Sequence, residues 1–240
     1  MACWEGELME RIPYIIEQFS AAGITVDEQK AEKLDKLCEF MVEYNKNVNL
    51  TSITEFTEVV VKHFVDSVLP FTMFELKENA SFIDVGTGAG FPSLPLLICR
   101  HDLKGTLCDS LNKRCVYLEK ACEHIDIKAR IVHARSEELG RKERECYDVA
   151  CARAVAALPM LTEYCLPFVK VGGTFAALKS VNEDAVNAES AIKLLGGKLS
   201  EVRDYSLPNG DARRLVLIKK VSQTPTKYPR TSANIAKRPL

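Results

Sequence analysis

The segment Asp84-Val85-Gly86-Thr87-Gly88-Ala89-Gly90-Phe91-Pro92 sets an acid and three alternating glycines directly behind a short apolar run. Glycines let a backbone approach a ligand closely and adopt positive φ. A strand that enters such a loop and then a helix is a nucleotide-binding arrangement. Dinucleotide enzymes space the glycines as Gly-x-Gly-x-x-Gly, because the pyrophosphate must reach the helix N-terminus. Here the spacing is Gly86-x-Gly88-x-Gly90, with Asp84 at the strand end. An acid beside the loop suits a ligand that carries cationic centres and no phosphate. S-adenosyl-L-methionine, with its sulfonium and ammonium, is one. A tight turn between packed elements would use the same residues.

Asp109 follows a second short strand, where an acid can accept both ribose hydroxyls. It lies in Asp109-Ser110-Leu111-Asn112-Lys113-Arg114, so it would also serve as the cap of the next helix. Ser110 and Leu111 join it as cofactor-binding candidates, and Lys113 and Arg114 are RNA-binding candidates. Ser136-Glu137 follows a third strand and offers polar contacts to an adenine edge, unless both simply open a helix. Arg153, beyond a fourth strand, faces the crevice of an open parallel sheet. There it suits cofactor, RNA phosphate or a structural ion pair. His63 reads as an RNA contact or a half-buried helix histidine, and Lys179 as a phosphate contact or a solvated lysine.

These residues need elements to hold them. Met9, Ile12, Ile15, Ile16 and Phe19 form a helical stripe ended by Gly23. Asp27 predicts the N-cap of a helix bearing Leu34, Leu37, Phe40, Met41 and Tyr44. A third helix is predicted from Glu55 to Leu69, stopping at Pro70. From Ser81 the rhythm becomes strand and helix in alternation. The strands are 81–85, 105–108, 127–132, 147–151 and 174–178. The helices are 91–99, 111–124 (Val116, Leu118 and Ala121 inward), 158–168 and 184–195. Parallel strands need crossover helices, so this is an α/β fold with a mainly parallel sheet. Pro208-Asn209-Gly210-Asp211 between 198–206 and 214–219 predicts a closing antiparallel hairpin. The expected division is a helical extension (1–80), a ligand-binding domain (81–220) and a basic tail (221–240).

Composition bounds the rest. An apolar fraction of 47% describes an ordinary globular chain. No apolar run approaches the roughly 18–20 residues that cross a bilayer, and the start Met1-Ala2-Cys3-Trp4-Glu5 does not resemble a signal peptide. No membrane partner and a cytoplasmic location are expected. Nine scattered cysteines, odd in number and without Cys-x-x-Cys, predict reduced thiols and neither a disulfide framework nor a zinc site. The net charge of −1 hides an asymmetry. Residues 1–80 carry 15 acids against 7 bases, whereas 212–240 carry 8 bases and no acid. Lys227, Arg230, Lys237 and Arg238, with Tyr228 among them, form a block that can neutralise phosphates or merely solubilise the chain.

Taken together, Phe82 to Pro92 closely resembles the hallmark of the GidB/RsmG family. Further similar segments are 44–51 (Tyr44-Asn45-Lys46-Asn47-Val48-Asn49-Leu50-Thr51), His63-Phe64-Val65-Asp66-Ser67, 109–114, Cys151-Ala152-Arg153-Ala154-Val155-Ala156 and Lys227-Tyr228-Pro229-Arg230. The resemblance runs in the same order from Glu43 to Leu240. It implies a Rossmann-like class I methyltransferase fold of seven strands and S-adenosylmethionine as cofactor. It also implies methylation at N7 of a guanosine in the 530 loop of 16S ribosomal RNA, met free or within the small ribosomal subunit by a monomer. The family's cofactor contacts fall on Gly86, Phe91, Asp109, Ser136, Glu137 and Arg153. Tyr44 stands where Trp is common, Ser93 where Gly is frequent, and 232–236 departs from a Gly/Pro-containing stretch. Guanine N7 carries a lone pair and no proton, so the chemistry implied needs alignment and no general base; alignment alone supplies about 7–11 kcal/mol.

Rival readings are weaker. A cytosine-C5 enzyme would use Cys151 as nucleophile, but the Pro usually beside that thiol is missing. Amino methylation would need an Asn-Pro-Pro-aromatic run where Ala152-Arg153-Ala154-Val155 stands. A non-catalytic RNA-binding protein would not require an intact loop with Asp109, and a nicotinamide oxidoreductase would need other glycine spacing.

Overall fold

The stripes of the first eighty residues fold as helices in the computed structural model, which describes residues 4–153, 156–182 and 186–240, and their side chains apart from those of 4–10 and 186. Helix α1 (Trp4–Ala21) buries Ile15 and Phe19, with Ile12 and Ile16 half-buried beside them. Met9 of the same stripe lies outside the described side chains, as Ala154 and Val155 lie outside the described residues. Gly23 follows at φ +74. Asp27 caps α2 (Glu28–Asn45), accepting from the Lys30 N–H at 2.9 Å. Leu34, Leu37 and Met41 are buried; Phe40 and Tyr44 sit at the edge of the stripe.

The third segment departs from expectation. A turn of α3 (Phe56–Val59) widens into a π-helical stretch (Val60–Val65), then runs through α4 (Asp66–Val68) into a 3-10 turn (Leu69–Thr72). Pro70 does not stop it, because it occupies the first turn of the 3-10 stretch, where a missing N–H is tolerated.

The alternating region forms β1 (Ser81–Val85), α5 (Ser93–Cys99), β2 (Lys104–Asp109), α6 (Asn112–His124), β3 (Arg130–His133), α7 (Ser136–Lys142) and β4 (Tyr147–Arg153). It continues with α8 (Leu158–Cys165), β5 (Val169–Lys179), α9 (Glu189–Leu194), β6 (Gly197–Ser206), β7 (Ala212–Lys220) and α10 (Ser232–Lys237). The seven strands form one sheet in the order β3-β2-β1-β4-β5-β7-β6. The first five are parallel, and β7 runs antiparallel to both β5 and β6. Strand order reverses between β1 and β4, and such a switch point opens a crevice at the carboxyl ends of the strands.

Period-two alternation sorts the side chains into two apolar layers. Phe82, Cys151, Leu178 and Leu217 face a layer shared with Ile15, Phe19, Leu37 and Phe64, so the N-terminal helices cover this side of the sheet. Ile83, Ala152, Phe175 and Val216 face the other, shared with Leu158, Ile192 and Tyr228.

Several boundaries differ from those read off the sequence. Strand β5 begins at Val169 and not at Thr174, because Gly172 and Gly173 lie inside it and do not precede it. A Cβ on Gly173 would meet Asp148 O at 2.6 Å, so glycine is what admits this close pass, beside a register shift between Tyr147 and Val149. Strand β4 runs two residues further, to Arg153, and β3 starts only at Arg130. Val116 is half-buried while Cys115 and Tyr117 point inward. Pro92 precedes α5 as its cap residue, outside the first turn.

Candidate functional site

The glycine loop crosses the switch point between β1 and the start of α5. Gly86, Gly88 and Gly90 adopt φ of +73, +61 and +89. A Cβ at Gly90 would lie 2.5 Å from Leu94 Cδ1 and 3.0 Å from Leu118 Cδ2, whereas around Gly88 the space is open except for Gly86 O at 3.9 Å. Gly90 therefore serves packing, and Gly88 leaves backbone bare toward the crevice. The loop's donors are largely engaged within the protein. Gly86 and Thr87 N–H donate to Cys108 O (2.8 and 3.2 Å), and Gly90 and Phe91 N–H donate to Thr87 O (2.9 and 3.2 Å).

Asp109 ends β2 buried, with Oδ2 accepting from Gly88 N–H at 3.0 Å and Oδ1 from Leu111 N–H at 2.9 Å. Arg114 approaches Oδ2 at 3.4 Å. Each oxygen keeps further acceptor capacity. Asp84 lies behind the loop, fully buried, and accepts from Ser93 Oγ at 2.7 Å. Burial pushes its carboxyl up to about 6 against the lowering effect of the Ser93 hydroxyl and of Arg153. Among the described residues, its Oδ1 and the buried Thr87 Oγ1 have no hydrogen-bond partner.

Two cavities meet over Gly86, Asp109 and Ser110. One, of about 240 Å³, is also lined by Ser136, Glu137, Tyr164 and Ser232. The other, of about 480 Å³, runs along the loop to Phe91, His63, Thr51 and Arg153. The sequence candidates Gly86, Gly88, Phe91, Asp109, Ser110, Ser136, Glu137 and Arg153 thus line one groove. Leu111 contributes its N–H to Asp109, while its side chain is exposed.

At the far end of the groove, Arg153 is ringed by the π-helical stretch. Its guanidinium lies 3.2 Å from Asp66 Oδ2, donates to Lys62 O at 3.4 Å and faces the Phe91 ring at 5.3 Å. His63 stacks on Phe91 with centroids 4.5 Å apart. Asn45 shapes the chain that brings Thr51 to His63: its Oδ1 accepts from Leu50 and Thr51 N–H, and its Nδ2 donates to Thr51 O. Asp66 also pairs with Arg213 at 3.3 Å, and burial raises its carboxyl despite both arginines. Beyond Arg153 opens a cavity of about 380 Å³ with Lys62, Lys179, Tyr205 and Arg213 on its walls. Sequence reasoning misses Thr51, Asp66 and Arg213 as site residues, although Thr51 and Asp66 stand inside segments that carry the family resemblance.

The remaining candidates lie outside the groove itself. Lys113 is exposed at the start of α6. Lys179 Nζ donates to Ala156 O at 2.5 Å. Lys227, Lys237 and Arg238 are exposed, but Tyr228 is buried. Arg230 makes a bidentate pair with Glu163 (Nη2–Oε2 2.6 Å, Nε–Oε1 2.9 Å), which is wholly buried. Cys151 is fully buried mid-strand, where burial drives its thiol far up and leaves it no nucleophile.

The profile described as rRNA small subunit methyltransferase G matches residues 30–215. The chain is 45% identical over 231 residues to the ribosomal RNA small subunit methyltransferase G of Acetivibrio thermocellus, which covers 94% of this chain and 95% of that one. This chain belongs to that family. The family member of Alkaliphilus metalliredigens is 46% identical over 224 residues, covering 91% and 94%. Among solved structures, a precorrin-6y C5,15-methyltransferase from Geobacter metallireducens is similar at a TM-score of 0.52 and 11% identity, over 72% of this chain and 91% of that one. At such identity the likeness speaks for the fold, the Rossmann-like arrangement of class I methyltransferases.

Proposed function

We propose that this chain, acting in the cytoplasm, transfers the methyl group of S-adenosylmethionine to N7 of a guanosine in the 530 loop of 16S ribosomal RNA, taken free or within the small subunit. The observation that carries the reading is the engagement of the loop's own donors around Asp109. Between Gly86 and Phe91, five N–H groups are already donated to Cys108, Asp109 and Thr87, and Pro92 has none to give. A pyrophosphate would find little there to bind. A ligand whose ribose hydroxyls approach the buried Asp109 carboxylate, and which brings positive charge and no phosphate, fits these residues.

Asp109 would hold the ribose, and Ser136 and Glu137 the adenine end of the groove. When bound, S-adenosylmethionine supplies an electrophilic methyl group on a sulfonium. Arg153 and His63, stacked against Phe91, form the wall between the groove and the basic cavity of Lys62, Lys179 and Arg213, which offers donors to RNA phosphates. His63 is held neutral by burial and brings no charge, and its Nδ1 lone pair is already taken by Arg153, so it is no base; N7 requires none. The residues' contribution is to position the base against the groove and to exclude water.

The test is to map N7-methylguanosine in 16S ribosomal RNA from cells lacking this protein. Loss of one mark is expected, and a mark that survives removes the substrate assignment. Titration with S-adenosylmethionine separately tests the groove: absence of saturable binding would sink the enzyme reading.

A further inference from the structure

Residues 221–240 carry the positive charge of a free arm, yet much of the segment is docked. Arg144 donates to Thr224 O and Tyr228 O, both at 2.6 Å, and Arg141 to Pro229 O at 3.1 Å. Tyr228 and Ile235 are buried. Arg230 also gives its backbone N–H to Glu163, at 2.8 Å, so a carboxylate buried on α8 takes its compensating charge and donors from this segment.

The docking carries α10 to the groove. Ser232, its first residue, shares a cavity wall with Asp109, Ser136 and Glu137. The Ser232 N–H donates to Glu137 Oε1 at 3.2 Å, and Glu137 is only 6% exposed. A buried carboxylate lining this cavity is therefore oriented by a backbone group 95 residues further along the chain.

We propose that the C-terminal segment completes the cofactor site, with Ser232 as the positioning residue for Glu137, and that adenosyl ligand binding and docking of the segment strengthen each other. This rests on the reading of the groove as the S-adenosylmethionine site. With Oε1 held by Ser232, Oε2 remains to accept from an N–H donor on the ligand. Undocked, the same carboxylate would rotate and recruit water. Linkage then requires that a ligand preferring the oriented carboxylate also stabilise the docked tail.

Ser232→Pro isolates the bond. Proline fits the first position of a helix, and Thr231 already has the extended conformation (φ −69, ψ 149) that a residue before proline adopts. The substitution removes the N–H and leaves α10 able to form, whereas Ser232→Ala keeps the N–H. Calorimetric titration with S-adenosylhomocysteine should show roughly tenfold weaker binding for Ser232→Pro, as loss of a bond to a charged acceptor implies. Ser232→Ala, which keeps the N–H, should lose less affinity than Ser232→Pro, with matching melting temperatures for the two variants and a rise in KM for S-adenosylmethionine that exceeds any fall in kcat in the proline form. Equal affinity of Ser232→Pro and wild type overturns the inference while the cofactor assignment stands. No saturable binding by the wild type overturns the assignment itself. Saturating S-adenosylhomocysteine should also slow tryptic cleavage after Lys227 and Arg230 in the wild type; an unchanged rate sinks the coupling.

Discussion

Arg153 Nη2 lies 3.3 Å from Nδ1 of His63, and because a guanidinium has only hydrogens to offer, Nδ1 must be the accepting nitrogen. The ring proton then sits on Nε2, which is 2.9 Å from Thr51 Oγ1 and donates to it. One contact thus settles the tautomer and denies the ring a second proton. Burial, reinforced by Arg153, holds His63 down to about 3. At neutral pH this histidine brings shape and no charge to the groove.

A histidine kept neutral by the fold makes the fold sensitive to acid. Below the unfolded pKa of about 6.5 the unfolded chain takes up the proton that the native chain refuses, so stability falls with pH between 6.5 and about 3. Urea unfolding at pH 7, 6 and 5 should show wild type losing up to about 1.4 kcal/mol more per pH unit than His63→Asn. Parallel pH profiles of the two proteins would contradict the neutral assignment.

Asp109→Ala should weaken S-adenosylhomocysteine binding strongly and leave RNA affinity nearly unchanged. The side chain joins two loops through Gly88 and Leu111, so both the acceptor for the ribose and the loop spacing are lost. Titrations with each ligand decide it, and comparable losses for both would refute the ribose role.

Gly88 and Gly90 should fail differently. Gly90→Ala forces a methyl against Leu94 and Leu118 at positive φ and is expected to cost about 2–3 kcal/mol in urea unfolding. Gly88→Ala meets open space, so the strain is near 1 kcal/mol and the measurable loss is in cofactor affinity. Matching stability losses would mean that the loop is packing throughout.

Arg230 belongs with the core, apart from the other tail bases. Arg230→Ala strands the buried Glu163 and should destabilise the protein by about 3 kcal/mol in urea unfolding. Replacing Lys227, Lys237 and Arg238 together should leave stability alone. It should weaken RNA binding and reduce the salt slope by roughly one for each phosphate no longer neutralised. An unchanged slope would make these three residues solubilisers.

The parts legible in the sequence are those written in neighbouring residues. The β1 strand, the loop and Asp109 stand in short segments whose residue types admit few conformations, and Pro208 to Asp211 announces its hairpin just as locally. The proton geometry at His63 is out of reach of the sequence, because it depends on a π-helical widening that no residue between Val60 and Val65 advertises. The tail reads as a uniform positive block as long as charge is counted without asking what stands opposite. Glu163 offers the missing hint: an acid inside the apolar run from Leu158 to Phe168 must either reach solvent or find a cation. Its partner lies 67 residues away, beyond any local pattern.

A surface carboxylate has several rotamers to give up when a ligand arrives, and each ordered side chain weakens binding by about 0.5–1.5 kcal/mol. Held at both oxygens by Gly88 and Leu111, Asp109 gave up that freedom when the chain folded. The temperature dependence of ligand binding at this carboxylate should therefore report on displaced water and on the ligand's own flexibility, with little contribution from the protein side chain that greets it.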